Sequence, residues 1–261
     1  MRPPLVLGYH GLSDTWPDMT AVRPDAFEEQ VELLVQRGYR GATFTDALTA
    51  PTAEKKTVAI TFDDACRSVF EQAFPVLARF GLPATVFVPT AYAGTDLPMG
   101  WAGFDRWLGT PHEGELACLP WEALRTLADA GWEIGSHTHS HPRLPTLSDD
   151  ALARELRESR EHLEAQLGRR CRSVAYPYGV ADDRVADATR AAGYRSGAVL
   201  YRWSTPRLTL QWPRVGVYRG DTPERLRARA LRREWPRVDA AVAVAMGSLR
   251  RAPRPTLARS P

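Results

Sequence analysis

Residues 57–62 form an apolar run rich in β-branched side chains, and this run ends on two adjacent carboxylates, Asp63 and Asp64. A continuous apolar run of this length is typical of a parallel strand that is buried on both faces. Two neighbouring acids fit poorly inside such a strand, so we place them at its carboxyl end, where α/β folds carry their sites. Taken alone, the dipeptide favours a plainer interpretation, a turn that caps a following helix, because Asp is a preferred N-cap residue.

The pattern of a strand followed by a helix recurs along the chain. Short apolar runs predict further strands over residues 5–9, 39–44, 84–88, 132–136, 173–176, 194–200 and 214–218. Helical periodicity predicts helices over residues 24–38, 68–80, 120–131, 148–168 and 183–192. Six to eight strands that alternate with helices indicate a (β/α) barrel or an open parallel sheet. Residues 91–119 form a long insertion rich in Gly, Pro and Trp, and such loops are usually functional or disordered.

The charge of the chain is distributed unevenly between its body and its tail. The net charge is +3, but residues 223–261 hold ten Arg against three acidic residues, which is +7 and leaves −4 for residues 1–222. Any basic surface therefore belongs to the tail, and we expect no nucleic-acid partner for the body. The apolar spacing predicts two amphipathic helices over residues 223–250 that follow a main domain over residues 1–222, and the Pro- and Arg-rich composition predicts a disordered tail over 251–261.

Cysteine usage and hydropathy bear on the compartment. Cys66, Cys118 and Cys171 lack a C-x-x-C spacing, and an odd, sparse count argues against a disulfide framework and fits a reducing compartment. The first residues have too short an apolar run for a signal peptide, and no stretch reaches the ~18 apolar residues of a membrane span. We therefore expect a cytoplasmic protein without a membrane span; its oligomeric state stays open.

A cluster of three histidines, His137, His139 and His141, follows the strand predicted at residues 132–136. If the segment is helical, His137 and His141 share one face, whereas an extended segment would align all three. Two imidazoles with one carboxylate are a known catalytic ligand set for zinc that leaves positions open for water and substrate. The alternative is a chance cluster on a surface loop, and the Asp pair at another strand end weakens it.

These residues resemble the first two motifs of the polysaccharide deacetylase (NodB-like) family, hydrolases that remove N- or O-acetyl groups from sugars. Residues 61–64 (TFDD) are similar to the first motif and residues 136–144 (SHTHSHPRL) to the second, in matching order and separation. The resemblance runs from about residue 5 to about residue 218. It implies an α/β fold, a distorted (β/α) barrel of about seven strands with a shallow groove.

The resemblance also implies roles for the residues of these two motifs. Asp63 corresponds to the catalytic base of the family, and Asp64, His137 and His141 correspond to the ligands of a divalent metal. Zinc is the ion we expect. The implied substrate partner is an acetylated carbohydrate.

The third motif resembles the family only in part. Pro177-Tyr178-Gly179 is present, and the resemblance makes the backbone N–H of Tyr178 the oxyanion donor. The Arg that the family carries two residues before the Pro, and that orients the base, is Ala175 here. Arg214, on a later predicted strand, is a candidate to supply the same charge, and an ordinary surface Arg is the alternative.

The general acid is a second departure from the family pattern. The family usually has a His in a late Leu-x-His motif, and no His occurs after His162. Residues 7–11 resemble the N-terminal segment of a permuted branch of the family, in which that His comes first. The first strand of a barrel neighbours the last, so either chain end can reach the same place. The resemblance implies His10 as the acid, and a structural His bonded to a loop carbonyl is the alternative.

The sequence therefore predicts a metal-dependent hydrolase that removes acetyl groups from an N-acetylated sugar or polysaccharide. Two alternatives stay open: a catalytically silent barrel that binds carbohydrate or a partner protein, suggested by Ala175 and the missing late His, and a hydrolase of a non-sugar amide. Trp101, Phe104 and Trp107 of the insertion are candidates to stack on a sugar ring. Aromatic residues in a long loop more often form a small core of their own.

Overall fold

The computed structural model describes residues 4–49, 56–200 and 209–232 of the chain. The strands in these residues are β1 (Leu5–Tyr9), β2 (Tyr39–Gly41), β3 (Lys56–Phe62), β4 (Ala84–Val88), β5 (Glu133–Ser136), β6 (Ser173–Ala175), β7 (Ser196–Val199), β8 (Trp212–Pro213) and β9 (Val215–Gly216). The α-helices are α1 (Pro24–Gln36), α2 (Phe44–Thr49), α3 (Phe74–Arg79), α4 (Trp121–Asp129), α5 (Asp149–Leu167), α6 (Asp183–Ala191) and α7 (Pro223–Arg232). Strands and helices alternate, as the sequence predicts.

The sheet closes into a barrel at a segment that is interrupted by Arg214. Its strand order is β8-β7-β6-β5-β4-β3-β1-β9, and every pairing is parallel. β8 pairs with β7 and β9 pairs with β1, while only Arg214 separates β8 from β9. The two short strands therefore act as one, and they complete a ring of seven with β1 and β3 to β7. The prediction of a (β/α) barrel of about seven strands is confirmed.

Two predicted strands have other bounds in the structure. The strand predicted over residues 39–44 ends at Gly41, because β4 replaces β2 as the neighbour of β3 from Ile60 onward. The strand predicted over residues 214–218 begins earlier, at Trp212, and is interrupted at Arg214, whose side chain is fully buried. In both places the neighbouring strand, which local propensity does not reveal, decides where pairing stops.

The helix predicted over residues 68–80 is divided near Pro75. Val69–Ala73 forms a π-helical turn, and α3 starts at Phe74 with the proline in its first turn. Proline has no N–H and its ring clashes with the carbonyl four residues earlier, so the hydrogen-bond ladder changes register there.

The barrel interior is filled by a small apolar cluster on which the Arg214 side chain packs. The cluster consists of Val6, Phe44, Ala47, Ala59, Phe87, Ala175 and Ala198. Most members come from inward positions of the strands, and the alternate positions, such as Leu7 and Ile60, belong to the larger core under the helices. The Arg214 guanidinium carbon lies 5.5 Å from the centroid of the Phe87 ring.

The predicted tail is described only in part. α7 begins at Pro223, and its Leu226 is buried. The remainder of the two helices predicted over residues 223–250 and the disordered tail predicted over 251–261 lie outside the described residues. Within those described, no helix combines the length and the apolar character that crossing a membrane requires.

Gly197 of β7 leaves no room for a side chain, which gives a test of the barrel packing. An added Cβ would overlap the backbone oxygen of Leu210 and the hydroxyl of Tyr176, which donates to that oxygen at 2.7 Å. We expect Gly197→Ala to lower the free energy of unfolding by about 1–3 kcal/mol in urea titrations. Gly114→Ala is the control, because nothing lies within 4 Å of its added Cβ. Equal stability of the two variants would contradict this packing.

Candidate active site

Most of the site residues predicted from the sequence lie beyond the carboxyl ends of four strands. His10 follows β1, Asp63 and Asp64 follow β3, His137 follows β5, and Tyr178 lies three residues after β6. Because all these strands are parallel, their carboxyl ends meet at one end of the barrel. The fold therefore brings together residues that are far apart in the sequence.

Asp64, His137 and His141 form a compact set of buried groups that could hold a metal ion, here called the metal-binding set. Their donor atoms all lie within 4.8 Å of one another. Oδ1 of Asp64 is 3.2 Å from Nε2 of His137 and 3.6 Å from Nε2 of His141. A tetrahedral zinc ion with bonds of about 2.0–2.1 Å separates its ligands by about 3.3–3.4 Å, so these spacings suit such an ion. The buried Oδ1 has no hydrogen-bond partner among the described residues, which also fits a metal ligand.

Hydrogen bonding, burial and neighbouring charges determine the tautomers and protonation states of these groups. Nδ1 of His137 donates to the carbonyl of Ala175 at 2.8 Å, because that oxygen can only accept, so Nε2 is the nitrogen that faces Asp64. Burial and the neighbouring His137 lower the pKa of His141 to about 3, which keeps its imidazole neutral at neutral pH. Burial alone would raise the pKa of Asp64, but the adjacent imidazole of His137 and the nearby imidazole of His10 outweigh it and lower the pKa. An ionised Asp64 and a neutral His141 are the forms that bind a divalent cation. Burial alone would lower the pKa of His137, but the carboxylates of Asp63 and Asp64 outweigh it and raise the pKa, so a bound cation would have to displace a proton there.

Residues 137–141, here called the histidine loop, are neither helical nor extended. The backbone turns at Thr138 (φ 66°) and at His141 (φ 62°). This turn brings His137 and His141 together, as the helical geometry would, but both geometries considered from the sequence are wrong. Nδ1 of His139 lies 3.0 Å from Oγ1 of Thr90, outside the metal-binding set.

Backbone strain in the described chain is concentrated at this site. All five non-glycine residues with positive φ belong to it: Asp64, Ala65, Thr138, His141 and Tyr178. Each such residue costs about 1–3 kcal/mol, and the conformation persists only where surrounding contacts over-determine it. Strain of this kind clusters at active sites and ligand clamps.

Arg214 is buried and forms an ion pair with Asp63. Its Nη1 and Nη2 donate to Oδ1 and Oδ2 of Asp63, both at 2.7 Å, and Nη1 also donates to Oγ1 of Thr61 at 2.9 Å. Burial alone would raise the pKa of Asp63, but the Arg214 guanidinium outweighs it and holds the pKa well below its usual range. Arg214 is therefore not a surface residue, and Asp63 is a carboxylate at ordinary pH.

His10 and Tyr178 complete the set at the same end of the barrel. Nδ1 of His10 is buried without a hydrogen-bond partner in the described part of the chain, so no loop carbonyl holds it. The Tyr178 backbone has φ 60°, and its ring centroid lies 5.0 Å from that of His141. Arg143 covers the Tyr178 ring, with its guanidinium carbon 4.8 Å from the centroid.

The aromatic residues of the insertion form a small core against Trp16. The rings of Phe104 and Trp107 lie 5.4 and 6.2 Å from the Trp16 ring, and Trp101 stacks on Phe104 at 5.4 Å. Trp101 also stacks on the imidazole of His141, with centroids 3.8 Å apart and planes 17° apart. These rings therefore pack against the protein itself, and Trp101 supports the imidazole of His141.

Sequence reasoning missed two groups that shape the site. Thr61 lies two residues before Asp63 and so on the same side of the strand, a spacing from which its role beside Asp63 could have been inferred. The other is the carbonyl of Ala175, which orients His137. A backbone carbonyl leaves no trace in the identity of its residue.

Comparison with known proteins identifies one family. A sequence model described as polysaccharide deacetylase matches residues 50–197, more than half of the chain. The protein YxkH of Bacillus subtilis (strain 168), whose name places it in the same family, is 26% identical over 196 residues, which are 74% of this chain and 62% of that protein. The poly-beta-1,6-N-acetyl-D-glucosamine N-deacetylase of Staphylococcus aureus (strain MSSA476) is 24% identical over 189 residues, 68% of this chain and 60% of that protein. The chain thus spans less than two thirds of the length of either relative.

Solved structures share the barrel. The Streptococcus pyogenes deacetylase PplD in complex with acetate gives a TM-score of 0.70 at 23% identity, over 86% of this chain and 96% of that one. IcaB from Ammonifex degensii gives 0.67 at 23% identity, over 87% of this chain and 97% of that one. These similarities establish the fold, and the sequence model establishes the membership: this chain belongs to the polysaccharide deacetylase family.

Proposed function

We propose that this chain is a metal-dependent hydrolase that removes acetyl groups from an N-acetylated sugar or polysaccharide. The observation that carries the proposal is a buried Asp-His-His metal-binding set directly beside a carboxylate that is ion-paired with a buried arginine. Family membership supports it, and the Staphylococcus aureus relative is named for N-deacetylation of poly-β-1,6-N-acetyl-D-glucosamine.

Asp64, His137 and His141 would hold the divalent ion, and zinc is the ion we expect. When bound, such an ion polarises the acetyl carbonyl and makes a water molecule more acidic. Two imidazoles and one carboxylate leave positions open for substrate and water, as catalytic zinc sites do.

The remaining steps belong to side chains and backbone of this protein. Asp63 accepts a proton from the attacking water; each of its oxygens keeps a lone pair beyond the bond to Arg214. The Tyr178 N–H donates to the oxyanion that forms on the acetyl carbon, a contribution of about 10²–10³ in kcat for donors of this kind. His10 gives a proton to the leaving amine as the C–N bond breaks, and the products are acetate and the free amino sugar.

A catalytically silent barrel is the weaker candidate. Its two grounds are the missing late His and Ala175, which stands where the family has the arginine that orients the base. The buried pair of Arg214 and Asp63 offers the same charge from another strand, and this supports an active site.

Acetate release and metal analysis test the proposal together. The wild-type protein should bind Zn²⁺ and release acetate from N-acetylglucosamine oligomers. Asp63→Asn should keep the metal and lose about 10²–10⁴ in kcat/KM, the usual contribution of a general base, whereas His137→Ala should lose both. Asp150→Asn, on the exposed start of α5, is the control. Bound metal without acetate release from sugars would favour the non-sugar amide if acetylated amines react, and silence if none do.

Arg214 is expected to act as a positioning residue for Asp63. Arg214→Met leaves a buried carboxylate unpaired, so the free energy of unfolding should fall by about 3–5 kcal/mol. Loss of orientation should lower kcat/KM by about 10²-fold, while the metal stays bound. Arg214→Lys keeps the charge but cannot form two parallel bonds to the carboxylate, so its stability and its kcat/KM should lie between those of the wild type and Arg214→Met. Arg195→Met, which changes an exposed arginine, is the control. Normal turnover in Arg214→Met would remove Arg214 from the mechanism.

The role of His10 as the general acid is tested by measuring the metal content and the turnover of a variant separately. His10→Ala should keep its metal and lose about 10²–10⁴ in kcat/KM with amide substrates, because no group protonates the leaving amine. His162→Ala, a half-buried histidine of α5, is the matched control and should be fully active. Full activity of His10→Ala would sink the assignment.

A further inference from the structure

The histidine loop is held from the β4 side by backbone hydrogen bonds. The N–H of Thr90 donates to the carbonyl of Thr138 at 3.2 Å, and the N–H of Ala91 donates to the carbonyl of His139 at 2.9 Å. These bonds fix one edge of the loop. They leave the N–H groups of His139 and Ser140 to be satisfied from elsewhere.

Glu155 of α5 holds the other edge of the loop. Its Oε2 accepts from the N–H groups of His139 and Ser140, both at 2.9 Å, and its Oε1 accepts from the Ser140 hydroxyl at 2.6 Å. Bonds to an ionised carboxylate are about twice as strong as neutral ones. Glu155 is half-buried and forms no ion pair with any residue in the described ranges, so both of its oxygens serve this loop.

The same face of α5 also supports the start of the loop. Ser159 lies one turn after Glu155, and its hydroxyl is 2.8 Å from the hydroxyl of Ser136. Ser136 in turn accepts from the N–H of Thr138 at 3.0 Å. Helix α5 therefore supports the loop through two side chains, the charged Glu155 and the neutral Ser159.

The two N–H groups that Glu155 binds lie between the two strained residues of the loop. Thr138 and His141 have positive φ, and a loop freed from Glu155 would relieve backbone strain at each residue that returns to negative φ. Such a return would rotate the chain between His137 and His141 and change the separation of their imidazoles.

We propose that Glu155 is a positioning residue that sets the affinity of the site for its divalent ion. It touches neither ion nor substrate; it holds the strained turn that keeps His137 and His141 on the same carboxylate oxygen of Asp64. The inference rests on the metal-binding part of the proposed function. Partners that orient metal ligands typically change metal affinity by 10–100-fold when removed.

Zn²⁺ affinity of the metal-free protein, measured by competition with a chromogenic chelator, tests the proposal. Glu155→Ala should raise the Kd by about 10–100-fold. Glu155→Gln keeps one acceptor oxygen and should raise it less. The matched control is Glu158→Ala, an exposed glutamate of the same helix, which should bind Zn²⁺ like the wild type. The absorption spectrum of bound Co²⁺ should also change in Glu155→Ala, because it reports ligand geometry.

The outcomes separate positioning from a purely structural role. A structural role would lower the urea stability of the metal-free variants and leave the Zn²⁺ Kd and the Co²⁺ spectrum of the folded protein unchanged, and that result would overturn the proposal. If Glu155→Ala does not fold, Glu155→Gln decides in the same way. Wild-type protein that binds Zn²⁺ but releases no acetate would refute the proposed activity and leave the role of Glu155 standing.

Discussion

The buried ion pair between Arg214 and Asp63 joins the closure of the barrel to the chemistry of the site. Arg214 lies between β8 and β9, the point at which the last strand meets the first, and its own N–H donates to the carbonyl of Val199 at 2.9 Å. Removing both charges from water costs several kcal/mol per ion, and only good geometry offsets it. Two parallel bonds to Asp63 and a third to Thr61 supply that geometry. Either partner without the other would be an uncompensated charge inside the barrel.

The small side chain at position 175 and the arginine at position 214 pack in the same part of the barrel interior. Ala175 is part of the apolar layer inside the barrel, and Arg214 packs on Phe87 of that layer. A second arginine reaching Asp63 from position 175 would place two guanidinium groups beside one carboxylate and leave a buried positive charge. An alanine at position 175 is thus compatible with an arginine at position 214, because only one guanidinium group then lies beside Asp63.

What could be predicted from the sequence followed from local periodicity and from chain order. Apolar runs and helix ends located the strands and helices of the ring, and parallel strands then place Asp64 and His137 at one end of it. The shape of the histidine loop could not be predicted, because a carboxylate on another element, Glu155, holds it. The burial of Arg214 was equally hidden, since an isolated arginine carries no mark of where the barrel closes. The gathering of these residues at one end of the barrel could be predicted, whereas the contacts that orient them arise only from the folded chain.

The two adjacent carboxylates, Asp63 and Asp64, point toward different partners at the end of β3. Side chains alternate along a strand, so Asp63 keeps the inward direction of Thr61, and both bind Arg214 within the barrel. A continued strand would turn Asp64 the other way, toward the helices. Asp64 instead has φ 67°, a left-handed conformation that Asp tolerates better than most residues, and this turn brings its carboxylate to His137 and His141. The left-handed conformation of Asp64 is therefore the reason why Asp63 contacts Arg214 whereas Asp64 contacts the two histidines.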